Sequence, residues 1–154
     1  MYWKMIDVRR PVSMPAISEQ VCMYSKKLGL FVASIYTVND KAGRVMYYCK
    51  PDHYSLTKSE PFALRGKSLW WCPLNGGHGW TRLYASKKTT RPYADMLTLF
   101  NYEGLGYFLG KMRAETIQSG RPRYYIHAGR NVLATTGRRI EWMPVPEIPL
   151  IARV

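Results

Sequence analysis

A run of arginines without an intervening acid is the strongest chemical feature of the sequence. Between Glu115 and Glu141 there is no aspartate or glutamate. The arginines of this run are Arg121, Arg123, Arg130, Arg138 and Arg139. Clustered cations of this kind favour a polyanionic partner, because they release condensed counterions when they pair with phosphates.

Tyr125 and His127 belong to the same stretch. They share a predicted strand face with Arg123, because side chains in a strand alternate between its two faces. A tyrosine among arginines on a sheet face can stack on an unstacked base. We therefore predict that Tyr125 and His127 join the five arginines in a nucleic-acid-binding surface.

A second basic patch lies earlier in the chain. Between Glu60 and Asp95 the sequence again has no acid. Lys87, Lys88 and Arg91 fall in a polar loop of this region, and we predict that they also contact phosphates.

Two cysteine–histidine pairs could in principle hold zinc, which prefers four thiolate or imidazole ligands in a tetrahedron. Cys49 precedes His53 by four positions, and Cys72 precedes His78 by six. The second gap is unusual for zinc, and Cys49 has the pattern of a strand residue. The alternative is two buried cysteines and two loop histidines. We expect no metal and no cofactor.

Catalytic signatures are weak. The ten acids are scattered, and the sequence contains no Walker loop, G-x-S-x-G, HExxH or zinc-deaminase motif. A metal-independent nuclease remains an alternative, with Arg123 holding a phosphate and His127 moving a proton beside Tyr125. A thiol nucleophile, Cys72 beside His78 or His127, would depend on the fold. A non-enzymatic protein is the favoured reading.

Composition places the chain among globular proteins with a polyanionic partner. It has 154 residues, 47% of them hydrophobic, a net charge of +13 and a pI near 9.9. There is no run of 18 apolar residues and no apolar signal region at the N-terminus, so we predict a cytoplasmic protein without a membrane partner. Three cysteines do not suggest a disulfide framework.

No internal repeat or linker is recognised in the sequence, and we predict a single domain over residues 1–154. Frequent prolines after Met143 predict an extended C-terminal arm over 144–154, which either packs on its own domain or docks on a partner.

Two helices are predicted. Leu105, Phe108, Leu109 and Met112 recur at helical spacing, so the main helix is expected over about 102–119. Glycines at 104, 106 and 110 weaken it, each by about 1 kcal/mol against alanine. They would serve either as a phosphate cradle or for close packing of the helix on a sheet. A shorter helix is expected over about 19–27, capped by Ser18 and stopped by Gly29.

Strands are predicted elsewhere, with the clearest at 30–38, where nearly every residue is apolar or β-branched. A hairpin loop at 39–43 leads to a paired strand at 44–49. Residues 123–128, 131–135 and 138–143 are expected to form an antiparallel meander.

These patterns together predict an α+β fold, a mostly antiparallel sheet packed on one main helix. The leading hypothesis is a non-enzymatic nucleic-acid-binding accessory protein. The first alternative is a protein-binding inhibitor or an assembly component of a larger particle, with an acidic protein surface as partner. The second is the small nuclease or a nucleotide-binding protein. The sequence leaves DNA, RNA and oligomeric state open.

Overall fold

The fold was obtained as a computed structural model, which describes residues 3–52, 60–74 and 79–148. Twelve strands occur in these residues. The first six are β1 Lys4–Met5, β2 Val21–Ser25, β3 Gly29–Asn39, β4 Val45–Pro51, β5 Phe62–Ala63 and β6 Trp70–Pro73. The others are β7 Thr81–Arg82, β8 Thr98–Tyr102, β9 Gly106–Thr116, β10 Pro122–Ala128, β11 Asn131–Ala134 and β12 Ile140–Pro144.

The predicted α+β class is wrong, because the fold is all-β. The only helical elements in the described ranges are two 3₁₀ turns, Pro11–Ser13 and Lys88–Thr90. Neither is long or apolar enough to cross a membrane.

The main helix predicted over 102–119 is instead the end of β8, a tight turn and the whole of β9. The apolar run in β9 fits a strand because Phe108, Leu109 and Gly110 are buried on both faces. Gly104 and Gly106 adopt φ of +85° and +83° in the turn, a backbone conformation that glycine reaches without strain. The glycines that were unfavourable in a helix are therefore suited to this hairpin.

Gly110 has a different role, that of close approach between strands. A Cβ at this position would lie 3.0 Å from the carbonyl oxygen of His127 and 3.2 Å from Cγ2 of Ile126. The predicted packing of these glycines in a helix against a sheet is therefore wrong, and Gly110 instead permits a close approach of β9 to β10. The alternative, a phosphate cradle at the start of a helix, is also wrong, because these residues form two strands and a turn.

The shorter helix predicted over 19–27 is also a strand, β2. Val21, Cys22 and Met23 are consecutive and fully buried, which a strand covered on both faces allows. Ser18 does not cap a helix, and it has a φ of +67°. Gly29 has a φ of +77° in the turn between β2 and β3, so the helix stop is a hairpin turn.

Several strand predictions are confirmed. Residues 30–38 lie inside β3, which pairs with β4 through the predicted loop at 39–43. Gly43 has the expected left-handed backbone, with a φ of +80°. Strands β10 and β11 also pair as predicted. The third strand of the expected meander does not continue it, because β12 pairs with β8 and β7 instead.

The described residues divide into two compact units, one formed by 3–52, 60–74 and 146–148 and the other by 79–145. The first carries the sheet β1-β6-β2-β3-β4-β5, and the second carries the sheet β11-β10-β9-β8-β12-β7. Each sheet encloses its own apolar core, centred on Phe31, Met23 and Ile35 in the first unit and on Phe108, Phe100 and Ile126 in the second. The prediction of a single domain stays a prediction.

The two units repeat the same architecture, which the sequence pattern did not reveal. Strands β1 to β4 and the first 3₁₀ turn recur as β7 to β10 and the second 3₁₀ turn with bounds shifted by 77 residues throughout. Ser18 and Asp95, at equivalent positions, both have a positive φ, 67° and 61°. Both of their backbone N–H groups donate to the long strand, at Ile35 and Met112.

Sequence identity between the repeats is low. Nine of the fifty residues of 3–52 recur 77 positions later: Trp3, Pro15, Leu28, Gly29, Phe31, Gly43, Arg44, Tyr47 and Tyr48. Beyond β4 the shift becomes 71, so Gly66 and Trp71 correspond to Gly137 and Trp142. The repeats share their turn geometry and their pattern of burial more than their residues, so the repeat cannot be recognised from the sequence alone.

The C-terminal arm leaves β12 and is without regular structure over 145–148. The indole nitrogen of Trp3 donates to the carbonyl oxygen of Glu147 at 2.5 Å. This part of the arm therefore contacts its own chain. The remainder of the predicted arm, from residue 149, lies outside the described residues.

Candidate nucleic-acid interface

The first predicted surface is centred on β10. Arg123, Tyr125 and His127 share one face of this strand, as the alternation predicted. Their partners on β9 are Glu115 opposite Arg123, Arg113 opposite Tyr125 and Lys111 opposite His127. This face is therefore mixed in charge.

The five arginines of the run do not converge. Arg121 lies in the turn between β9 and β10, where its carbonyl oxygen accepts from Ile117. The Arg138 side chain lies beside Gly104, and Gly104 belongs to the turn between β8 and β9. These turns are at opposite ends of β9, which has eleven residues and thus a contour of about 35 Å.

The other arginines of the run are also dispersed. Arg130 is in the exposed turn between β10 and β11. Arg139 is paired with Glu141 at 3.3 Å, and its backbone N–H donates to the carboxylate of Glu103. An arginine tied to a carboxylate has less to gain from a phosphate. The run that dominates the sequence is thus not one patch in space.

The second predicted patch does gather with aromatic rings. The guanidinium carbon of Arg91 lies 3.9 Å from the centroid of the Tyr124 ring, a cation–π contact. Arg91 and Tyr124 line a cavity of about 350 Å³ together with Lys88 and Tyr93. Tyr93 is 83% exposed.

Tyr84 adjoins the same loop, because its backbone bonds to the Thr90 hydroxyl. Arg82 and Lys87 lie 5.1 Å and 5.3 Å from the centroid of its ring. Tyr84 is 45% exposed although two cationic groups lie over its ring. We call this group the basic–aromatic cluster; its members are Arg82, Tyr84, Lys87, Lys88, Arg91, Tyr93 and Tyr124.

No acidic residue interrupts the cluster along the chain, since 79–94 contains neither aspartate nor glutamate. Asp95 follows directly, but its carboxylate is paired with the Arg113 guanidinium at 2.6 Å. Glu141 lies opposite Arg82 across β7 and β12, but its carboxylate is paired with Arg139. None of the four cations of the cluster forms an ion pair with a described residue.

The loop of the cluster is held in place by two side chains. The Thr90 hydroxyl accepts from the backbone N–H of Tyr84 at 3.0 Å, and it lies 2.7 Å from the Tyr84 carbonyl oxygen. The indole N–H of Trp142 on β12 donates to the carbonyl oxygen of Thr90 at 2.7 Å. These bonds fix Lys87 to Arg91 against the sheet without using their charged groups.

The first unit has the same loop with different chemistry. The Ser13 hydroxyl bonds to the backbone of Asp7, as the Thr90 hydroxyl bonds to the backbone of Tyr84. The indole N–H of Trp71 donates to the carbonyl oxygen of Ser13 at 2.7 Å. At the position of Arg91 stands Met14, which packs on the core cluster together with Tyr47, the counterpart of Tyr124. The basic–aromatic surface is therefore a property of the second unit and not of the scaffold.

Sequence reasoning missed Tyr124 and Arg82 as cluster members. Tyr125 was chosen for its place beside the arginines, yet Tyr124 faces the core and carries Arg91 on its ring. The available signal was the alternation along β10, which separates Tyr124 from Tyr125. It could not show which of the two faces the loop would cover.

The cysteines of the possible zinc set do not meet. Cys49 Sγ lies 3.5 Å from Sδ of Met23, whereas Cys72 pairs across the strands with Cys22. Met23 and Cys22 are neighbours on β2, so these contacts are on opposite faces of the sheet. His53 and His78 lie outside the described residues.

The described cysteines are buried thiols. Burial raises the pKa of Cys49 to about 12. The hydrogen bond with Cys72, followed by burial, raises the pKa of Cys22 well above its ordinary value. No group of three metal-ligating side chains occurs in the ranges that the structure describes.

His127, assigned a proton in the nuclease alternative, has a buried Nε2 atom without a hydrogen-bond partner. Oε1 of Glu115 lies 3.9 Å from this nitrogen. An imidazole nitrogen covered in this way is not presented to a substrate by this conformation.

Comparison with known proteins adds no relative, since no protein-family model, curated protein or solved structure matches the chain.

Proposed function

We propose that the protein binds single-stranded nucleic acid without catalysis, through the basic–aromatic cluster of its second unit. The observation that carries this proposal is the Arg91 guanidinium resting on Tyr124 at the wall of a cavity, with the exposed ring of Tyr93 beside it. Cations that track a backbone and rings that accept bases are the two parts of a single-strand site.

The tyrosines favour a single strand over a duplex. Bases in a duplex are stacked on each other, so an exposed ring such as that of Tyr93 can stack only on a base that has been released. Each stacked base contributes about 1–3 kcal/mol. The cations supply the part of the affinity that does not depend on base sequence.

Salt dependence of oligonucleotide binding tests the proposal. Fluorescence anisotropy with labelled single-stranded RNA and DNA and with a duplex should give the tightest binding to a single strand. The logarithm of the binding constant should fall with the logarithm of salt concentration with a slope of about −3 if all four cations engage phosphates.

Arg91→Ala should weaken single-strand binding about tenfold, because it removes both a cation and the cover of Tyr124. Arg130→Ala is the matched control, since it removes the same charge from the exposed turn between β10 and β11, six positions after Tyr124. Absence of binding to any strand at low salt, or an equal effect of the two substitutions, would refute the proposal.

An acidic protein surface is the alternative partner for the same four cations. Binding to such a surface would show the same salt dependence, but it would not require an exposed tyrosine ring for stacking on a base. The comparison of Tyr93→Phe with Tyr93→Ala, described in the Discussion, separates the two partners.

A further inference from the structure

The first unit contains a cavity of about 460 Å³ at the turn between β2 and β3. Its floor includes the buried residues Ser25 and Leu69, which are 7% and 1% exposed. Phe62 on β5 contributes an aromatic wall. The size is in the range of small-molecule sites.

The cavity exists where the second unit has a large side chain. The residue equivalent to Ser25 is Tyr102, which is buried and packs on Phe108 with ring centroids 6.2 Å apart. Its hydroxyl donates to the carbonyl oxygen of Ala134 on β11 at 2.7 Å. Tyr102 thus spans the end of its core, whereas the Ser25 hydroxyl oxygen accepts from the nearby backbone N–H of Leu28, at 2.8 Å.

The rim of the cavity is strongly basic. Lys26, Lys27 and Lys67 line it, all three are exposed, and none forms an ion pair with a described residue. None of the described lining residues is acidic. In the second unit the counterpart of Lys26 is Glu103, so the charge at this turn differs between the repeats.

The geometry points to a binding site for a nucleoside monophosphate in this cavity. The three ammonium groups would hold the phosphate at the rim, where they stay solvated until the ligand arrives. The planar base would enter the apolar part beside Phe62 and Leu69. The ligand class follows from the combination of a polyvalent cationic rim with an aromatic, apolar floor. This site is separate from the basic–aromatic cluster and does not rest on the function proposed for it.

Filling the cavity provides the decisive test. Binding of the four ribonucleoside 5′-monophosphates to the full chain would be measured by NMR shift changes and calorimetry at low salt. At least one should bind, while the uncharged nucleoside and inorganic phosphate alone should bind at least about tenfold more weakly. Ser25→Tyr copies the second unit and should reduce nucleotide binding by about tenfold or more.

Ser25→Ala is the matched control, because it removes the same hydroxyl without filling the space, and it should bind as the wild type does. If Ser25→Tyr does not fold, the exposed double variant Lys26→Ala with Lys67→Ala replaces it and should lose phosphate-dependent affinity.

The outcomes also separate this site from the cluster. Arg91→Ala should leave nucleotide binding unchanged, and Ser25→Tyr should leave oligonucleotide binding unchanged. The inference is overturned if none of the four nucleotides binds the wild type, or if a folded Ser25→Tyr or the lysine double variant binds the nucleotide as tightly as the wild type.

Discussion

The indole nitrogen of Trp142 donates a hydrogen bond to the carbonyl oxygen of Thr90, 52 positions earlier in the chain, at 2.7 Å. The equivalent pair in the first unit, Trp71 and Ser13, has the same distance. Each tryptophan thereby anchors one 3₁₀ turn to its sheet. In the second unit that turn begins with Lys88, so the anchor also positions the cations of the basic–aromatic cluster.

Trp142→Phe should therefore lower both stability and oligonucleotide affinity. Losing the bond to Thr90 should cost about 1–2 kcal/mol of unfolding free energy, and the loop should become less ordered. Trp71→Phe is the matched control: it breaks the same bond in the first unit and should not change oligonucleotide binding. Chemical denaturation and anisotropy measure the two effects. Equal affinities for the two variants would contradict the positioning role.

Tyr93 should contribute to binding by stacking. Its ring is almost fully exposed, so its replacement should leave stability unchanged. Tyr93→Ala should lose about 1–3 kcal/mol of binding free energy for a single strand, while Tyr93→Phe should lose little, because the ring face remains. Titrations with poly-uridine oligomers would measure this. If Tyr93→Ala binds the oligomers as the wild type does, an acidic protein becomes the better partner.

Gly110 should not tolerate a side chain. A Cβ there would lie 3.0 Å from the His127 carbonyl oxygen, which belongs to the neighbouring backbone and cannot easily move. Gly110→Ala should destabilise the protein by about 1–3 kcal/mol in urea denaturation. The equivalent residue of the first unit is Ala33, which is already buried. Ala33→Gly should also destabilise, by about 0.5–1 kcal/mol, but through chain entropy. An unchanged midpoint for Gly110→Ala would disprove the close approach.

Asp7 should titrate below its ordinary pKa of 3.8. The main cause is the hydrogen bond from the Arg9 side chain to the carboxylate, followed by that from the Arg9 backbone N–H. Because the folded pKa is lowered, the stabilisation is present above the unfolded pKa and is lost as pH falls through the folded value. Arg9→Ala should raise the Asp7 pKa towards 3.8, as followed by NMR of the carboxyl carbon.

Arg10→Ala is the control for that titration, since the charge of Arg10 is the smallest of the causes. It should leave the Asp7 pKa nearly unchanged. A larger shift from Arg10→Ala than from Arg9→Ala would mean that general charge, and not the hydrogen bond, sets the titration of Asp7.

The positions of β3, β4, β10 and β11 could be predicted because their signals are local. Runs of β-branched and aromatic residues form strands, and glycine at a left-handed position ends them, as at Gly43. The two helices were wrong because period alone does not distinguish a helix from a strand buried on both faces. In β9 the successive residues Phe108 and Leu109 are buried on opposite faces, and together with Leu105 and Met112 they produced apparent helical spacing.

The candidate site was predicted only in part, for a related reason. Lys87, Lys88 and Arg91 were identified from a loop without acids; Lys88 and Arg91 line one cavity, and Lys87 lies over the Tyr84 ring. Their contact with phosphates stays a prediction. The longer arginine run was weighted more heavily, yet β9 carries its members to opposite ends of the sheet. Density of charge along a chain does not determine density of charge in space.

By itself the sequence determined the net positive charge, the acid-free segments and the turns that begin and end most strands, since these depend on composition and on neighbouring residues. Only the tertiary structure decided that the chain repeats one architecture, that Arg91 meets Tyr124, and that Ser25 leaves a cavity where Tyr102 fills one. The physical reason is that strand pairing joins residues far apart in the chain. A one-residue shift in register would place a different side chain on each face.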